Sequence, residues 1–206
     1  MAEQEAFVAA YEKLLNGLDA RDRVVFCDAV HPEYQTRPAR GWIKKGDPVA
    51  VSRTTGRQRL NLHGALTLES GTCHLVEAEA MNAETTIALL SRLLDAYPEA
   101  RTIHVILDNA RYHHAKMVRE WLDTRGKRIN LIFLPLYAPN LNSIERLWAV
   151  LHKTVTHNKF YPTFNDFVDA VPGFFRRTLP SKCDRIRDFV PDAFHIISPD
   201  NFRVLA

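Results

Sequence analysis

Three acidic side chains have the type and placement that metal chemistry needs. Asp28 follows the apolar run Val24-Val25-Phe26-Cys27, and Asp108 follows Ile103-His104-Val105-Ile106-Leu107. Glu145 sits in the first turn of an expected helix, shortly after a third apolar run, Ile129-Asn130-Leu131-Ile132-Phe133-Leu134. Carboxylates at strand ends can converge at one edge of a sheet. Three of them together offer hard oxygen ligands for divalent cations. Two such ions about 4 Å apart can drive in-line displacement at a phosphodiester.

Taken singly, each acid has a blander explanation. An Asp after a strand is good turn chemistry, and Asp108-Asn109 is doubly so. Asn142 and Glu145 stand at capping-box spacing, which would tie Glu145 to the start of its own helix. The apolar stripe Ile144, Leu147, Trp148 and Leu151 fixes the buried face of that helix. Glu145 borders the stripe and can point either to the sheet edge or to solvent. The joint pattern, one acid behind each of three strands, is what favours a site.

The elements that must position these acids can be read from periodicity. Phe7, Tyr11, Leu14, Leu15 and Leu18 share one face of a helix over 2–18. A strand over 23–30 carries Asp28, and a loop rich in Pro and Gly follows. Short strands are expected over 49–54, 59–68 and 73–79, the last two joined by a hairpin turn at Glu69-Ser70-Gly71. A helix over 83–97 shows Ile87, Leu90, Leu94 and Tyr97 on one face and ends at Tyr97-Pro98. Strand 102–107, helix 114–124, strand 129–134 and helix 143–155 come next. A last amphipathic helix starts near Thr163, with Phe164, Phe167, Val168, Val171 and Phe175 as its apolar face, and the tail from 190 is irregular. This order predicts an α/β fold: an antiparallel three-stranded start, then parallel strands joined through crossover helices. Asp28 and Asp108 then lie at carboxyl ends of strands, where open α/β sheets place their sites.

Composition sets outer limits. The 206 residues fit one domain with an appended arm, and 46% hydrophobic residues can build a sizeable core. A net charge of +3 permits nucleic-acid binding without arguing for it. Cys27, Cys73 and Cys183 are widely spaced, so a cysteine zinc site is not expected, and an odd number without a framework fits a reducing cytosol. The acidic N-terminus does not resemble a secretory signal. No apolar stretch of about 18 residues suggests a membrane span. A cytoplasmic location is the expectation.

Three segments together carry a family resemblance: Phe26-Cys27-Asp28-Ala29-Val30-His31, Leu107-Asp108-Asn109-Ala110-Arg111-Tyr112-His113 and Leu141-Asn142-Ser143-Ile144-Glu145-Arg146-Leu147-Trp148. Gly41-Trp42 and Lys44-Lys45-Gly46 add to it. Over about residues 22–160 the chain resembles the DDE-type transposases of bacterial insertion sequences, in the branch related to the mariner elements. The resemblance implies a ribonuclease-H-like fold and a catalytic, metal-binding triad of Asp28, Asp108 and Glu145, with 36 residues between the last two. It implies two Mg²⁺ ions, with Mn²⁺ as a substitute, and DNA cleavage and strand transfer at insertion-sequence ends. It also implies transposon-end and target DNA as partners, a homodimer in the active complex, and nucleoid association when bound to DNA. The division that follows is a helical arm over 1–22, a catalytic domain over 23–160, and a C-terminal helix and tail over 161–206.

Two departures from the family pattern stand out. The family usually has Leu-Asn-Pro before Ile-Glu, where this chain has Leu141-Asn142-Ser143; Ser is acceptable at a helix start. Family members usually carry a helix-turn-helix region ahead of the catalytic domain, and only about 22 residues precede the match here. That region is expected to be encoded separately, or lost by truncation or excision. Two other readings stay open. One is a structure-selective or hybrid-cleaving nuclease on the same fold. The other is a non-catalytic relic that binds DNA or inhibits a full-length transposase.

Around Trp42, Arg37, Arg40, Lys44, Lys45, Arg53, Arg57 and Arg59 lie within 23 residues, with Asp47 the only acid among them. Clustered cations beside an anionic metal site suit a phosphate backbone; the plain alternative is a solvated loop. Arg111 and Lys116, with Arg119, could extend this DNA-binding surface. His113-His114 makes a poor chelating pair, because adjacent residues point apart on a helix. A helix-start or phosphate-contact role is the expectation there, and structural roles are expected for His31 and His63.

Overall fold

The computed structural model describes residues 2–40, 50 and 52–181. Its centre is a five-stranded sheet in the order β5-β4-β1-β6-β7. Strand β1 (Arg23–Val30) pairs antiparallel with β4 (Leu62–Thr67), which pairs antiparallel with β5 (Thr72–Glu77). On its other side β1 runs parallel to β6 (Ile103–Leu107), and β6 runs parallel to β7 (Ile129–Phe133). This is the mixed sheet expected from the order of elements. A ribbon of β2 (Glu33–Gln35) and β3 (Thr55–Arg59) stands outside it. Lys44, Lys45 and Trp42 and the tail from 190 lie outside the described residues.

Period-two alternation along the strands feeds two cores. Val25 and Cys27 of β1 pack with Val105 and Leu107 of β6 against α2 (Ala83–Ala96) and α3 (Lys116–Thr124). Phe26 and Ile106 face the opposite side, against α4 (Ser143–Val155) and α5 (Phe164–Gly173). Asp28 has the parity of Phe26, so the α4 face is where its side chain belongs. The N-terminal helix α1 (Ala2–Asn16) joins that core through Phe7 and Tyr11, and the Tyr11 and Phe26 rings are 5.9 Å apart.

Three details differ from expectation, each for a physical reason. Residues 52–54 are irregular, because the Thr36 and Thr54 hydroxyls take the backbone donors that a strand ladder would use. The most deeply buried stripe of α2 is Thr85, Thr86, Leu89, Leu90 and Leu93; of the expected face Leu90 belongs to it, while Ile87, Leu94 and Tyr97 pack half-buried at its edge. The Tyr97 hydroxyl instead bonds Thr67 (2.7 Å) and His74 (3.1 Å). The helix expected over 114–124 is interrupted: a 3₁₀ turn covers Arg111–His114, and Ala115, in extended conformation, separates it from α3. Among the described residues no helix is long and apolar enough to cross a membrane.

Candidate active site

Asp28, Asp108 and Glu145 line one open cleft of about 380 Å³. Asp28 lies within β1, opposite Gly64 of β4. Asp108 follows the last residue of β6, and Glu145 sits in the first turn of α4. The opposite wall is the segment from Leu134 to Pro139. Parallel pairing of β1 with β6 brings the first two acids to the same end of the sheet. The short connection after β7 then returns α4 across that end.

The local sequence explains how each acid is held. Asn142 is the N-cap residue of α4, yet its side chain makes no cap bond. Its amide instead donates to the backbone oxygen of Cys27 (3.0 Å), stitching the start of α4 to β1 beside Asp28. The capping-box role that the spacing allowed is therefore not realised, and Glu145 faces the cleft. Trp148, one turn further along α4, donates from Nε1 to Asp28 Oδ2 at 3.0 Å. The indole fits because position 64 lacks a side chain: a Cβ there would stand 2.4 Å from the ring.

Asp108 is held from the other side. It accepts from the Ala110 amide (3.1 Å), and His113 Nε2 lies 3.4 Å from its Oδ1. Nδ1 of His113 meets the Thr86 hydroxyl of α2 at 3.2 Å. His113 is thus a buried partner of Asp108, which corrects the expectation of a helix-start or phosphate contact. The 3₁₀ turn rotates its ring inward, and the short spacing from Asp108 makes the reach possible. His63 packs on His113 with ring centroids 5.5 Å apart, and burial pushes its pKa down to about 4.

The electrostatics separate the three acids. Burial, then the Glu145 and Asp108 charges, push the Asp28 carboxyl up to about 7. Glu145 is also raised, by desolvation first and by Asp108. Asp28 and Glu145 influence each other's charge, so the two carboxyls titrate together. The bond from His113 holds Asp108 below the usual carboxylate range. The cleft therefore combines one acid held ionised with two whose carboxyls are raised, as expected where cations are to replace protons. All the donors are oxygens, which fits hard divalent ions. The carboxylates spread along the cleft. Among the described residues no three acidic, histidine or cysteine side chains close into a ready-made cage.

Residues 23–168 match the family described as DDE superfamily endonuclease. That span contains every strand of the central sheet and all three acids. The chain belongs to the DDE superfamily of endonucleases. A relative within it, the insertion element IS630 uncharacterized 39 kDa protein of Shigella sonnei, is 31% identical over 151 residues, covering 73% of this chain and 44% of that protein. The Tc3 transposase of Caenorhabditis elegans is 42% identical over 57 residues, 27% of this chain and 17% of that one. The chain spans less than half the length of either curated relative. Among solved structures, a pre-cleavage Mos1 transpososome superposes with a TM-score of 0.63 at 17% identity, covering 95% of this chain and 62% of that one. The Mos1 transposase paired-end complex with left transposon end gives a TM-score of 0.61 at 18% identity, covering 94% and 62%. At these identities the likeness establishes the shared fold.

Away from these three acids, the structure scatters the residues expected to meet DNA. Arg37 is ion-paired with Glu33 (3.1 Å), and Lys116 with Glu120 (3.3 Å), so each cation is partly neutralised at home. Arg40, Arg53, Arg57, Arg59 and Arg111 are exposed and form no ion pair with a described acid. Arg57 and Arg59 share one face of β3. Arg111 opens the 3₁₀ turn next to Asp108. Sequence reasoning missed Trp148, Asn142, Thr86 and Gly64 as supports of the acids. The spacing of Trp148, three residues after Glu145 on the same helix, was the available signal; Gly64 and Thr86 offered none.

Proposed function

We propose that this chain is the catalytic part of a DNA transposase, cutting and joining DNA strands at the ends of an insertion element. The observation that carries the reading is the placement of Asp28, Asp108 and Glu145 in one cleft, inside the family match. On this reading those three residues are both the catalytic triad and the ligands of two Mg²⁺ or Mn²⁺ ions. Related Mos1 paired-end complexes have been solved with Mg and with Mn. Bound there, the ions would activate a water or a DNA 3′-hydroxyl and stabilise the leaving oxygen.

The chain's own work is positioning. Asp108, kept ionised by His113, offers a fixed negative site at the cleft mouth. The raised Asp28 and Glu145 carboxyls would release protons as cations enter, so affinity should rise through neutral pH. Exposed arginines on β3 and near Asp108 supply phosphate contacts, and these contacts carry little sequence information. Reading a particular transposon end then falls to a helix-turn-helix segment supplied elsewhere, and the active complex is a homodimer that pairs two ends. Hydrolysis and strand transfer are the same substitution with different nucleophiles.

The test is incubation of the chain with supercoiled plasmid and Mg²⁺ or Mn²⁺, alongside Asp108→Asn. The expected result is nicking and linearisation by the native chain and none by the variant. Joining of a labelled transposon-end oligonucleotide to plasmid separates a transferase from a simple nuclease. Nicking that persists in Asp108→Asn would remove the cleft from the chemistry.

A further inference from the structure

Tyr137 is the most exposed large apolar side chain among the described residues, at 96%, and it stands in the wall of the carboxylate cleft. Its backbone has φ +56°, a left-handed conformation that a bulky residue rarely adopts. Among the described residues the ring makes no hydrogen bond and no aromatic contact that would repay that strain. The segment is nonetheless firmly seated. Leu134 and Ala138 on either side are buried, as is Leu141. The Leu134 amide donates to Leu107 (2.9 Å), and the Leu134 carbonyl accepts from the Asn109 side chain. The Leu141 amide donates to Ala138 (3.1 Å). A three-residue arch, Pro135-Leu136-Tyr137, anchored on both sides, therefore holds an aromatic ring out in solvent beside three carboxylates. Leu136 is itself 65% exposed and extends the apolar tip.

We propose that Tyr137 is a stacking platform for an unpaired or terminal nucleobase next to the scissile phosphate. This rests on the reading of the cleft as a DNA-cutting site. The chemistry favours a base over other occupants. The neighbouring floor is acidic, so an anionic ligand would need cations between it and the cleft, whereas a neutral aromatic face adds no repulsion. Every base has a π-face that a flat ring can cover, and such contact tolerates any sequence. Bases inside a duplex hide their faces in the stack. A base at a strand end, or one turned out of the helix, shows a face, and strand ends are what a cutting and joining site must handle. An arch anchored on both sides has less freedom to lose on binding than a free loop, so more of the contact energy would appear as affinity. Strain kept at a site margin with no internal compensation is a recurrent sign of such use.

The experiment compares the native chain with Tyr137→Phe, Tyr137→Ala and Tyr137→Gly on two DNAs. One is a duplex closed by hairpins at both ends. The other is the same duplex with one open end bearing an unpaired 3′ 2-aminopurine. The native chain and Tyr137→Phe should prefer the open DNA and quench the 2-aminopurine. Tyr137→Ala and Tyr137→Gly should lose roughly five- to hundredfold in affinity for the open DNA and leave the closed one unchanged. Tyr137→Gly also removes the left-handed strain, so its melting temperature should hold or rise while selectivity falls, which separates the contact from folding. Equal losses on both DNAs, no loss on either, or a Tyr137→Phe variant that behaves like Tyr137→Ala would overturn the proposal. Binding to neither DNA by the native chain would instead overturn the DNA reading of the cleft, and the stacking role with it.

Discussion

Trp148 Nε1 donates a 3.0 Å hydrogen bond to Asp28 Oδ2 across the bare backbone of Gly64. Strand β4 gives up a side chain so that an indole from α4 can reach an acid on β1. This one contact links the helix that bears Glu145 to the strand that bears Asp28. It also opposes the burial and the neighbouring charges that raise the Asp28 carboxyl.

Trp148→Phe keeps an aromatic ring but removes the donor. It should cost about 1–2 kcal/mol and push the Asp28 carboxyl higher still. Gly64→Ala should displace the indole and cost about 1–3 kcal/mol, as overpacking does. In a Trp148→Ala background the same Gly64→Ala change should be far milder, because the two positions share a contact. Denaturant unfolding of the four variants completes the cycle. Additive losses would show that the indole does not fill the space above Gly64.

The raised carboxyl pair gives the cation-free chain a defined pH response. Asp28 binds its proton more tightly in the fold (about 7) than its ordinary value of 3.8. Between those values the folded state therefore holds more protons than the unfolded state, and stability falls as pH rises. The contribution is fully present below about pH 4 and is lost as pH passes 7. Glu145, also raised, acts in the same direction. The pair's contribution is expected to fall steadily between pH 4 and 8 in a chelator. Millimolar Mg²⁺ or Mn²⁺ should reverse it, since a ligand that binds only the folded state stabilises it. Asp28→Asn should remove the pair's share of the pH response, which the buried His63 opposes below about pH 6.5, and should abolish the cation response. Melting curves across pH, with and without cation, decide this; a cation-induced shift that survives in Asp28→Asn would place the ions elsewhere.

His113 orients Asp108 and is itself fixed by Thr86, so it should act as an outer support of the cleft. Such supports typically contribute 10- to 100-fold, as an order of magnitude, to metal affinity or activity. His113→Phe preserves the ring volume and should lower Mn²⁺ affinity by roughly that factor. The Asp108 carboxyl should move back up toward its ordinary value. Titration calorimetry with Mn²⁺ and NMR of the carboxyl groups read the two effects. An unchanged affinity would reduce His113 to packing.

Much of this arrangement was legible in the sequence, and the reasons differ by element. Strand β1 and helix α4 fell where their apolar periods put them, because both are long and bury one clear face. The three acids stood out because each comes after its own apolar run. The β2–β3 ribbon was hidden: its strands are short, Arg-rich and far apart in sequence. The supports of the acids were less visible still. Gly64 reads as a weak point in a strand until the indole is seen above it, and Thr86 reads as an ordinary first-turn residue until His113 arrives from the other side of the chain. Local pattern tells which face is buried; which partner crosses that face is set by tertiary packing.

The exposed arginines predict a specific salt behaviour. Each phosphate contact releases counterions and contributes about 0.9 to the slope of log affinity against log salt. Arg57 and Arg59 lie on one face of β3 and are not paired with a described acid, so both can meet a phosphate without breaking a contact. Replacing both with Ala should lower the slope by about two units. Lys116 is held by Glu120, so its contact must compete with that partner, and Lys116→Ala should change the slope by clearly less than Arg111→Ala. The surface changes should shift stability by no more than about 0.5 kcal/mol. Affinity measured across salt on a transposon-end duplex and a random duplex should fall in parallel, because phosphate contacts do not read bases. An unchanged slope after removal of Arg57 and Arg59 would take the β3 ribbon out of the interface. Strong preference for the end duplex would show that this chain reads base edges itself, which would overturn the division of labour with a separate end-reading segment.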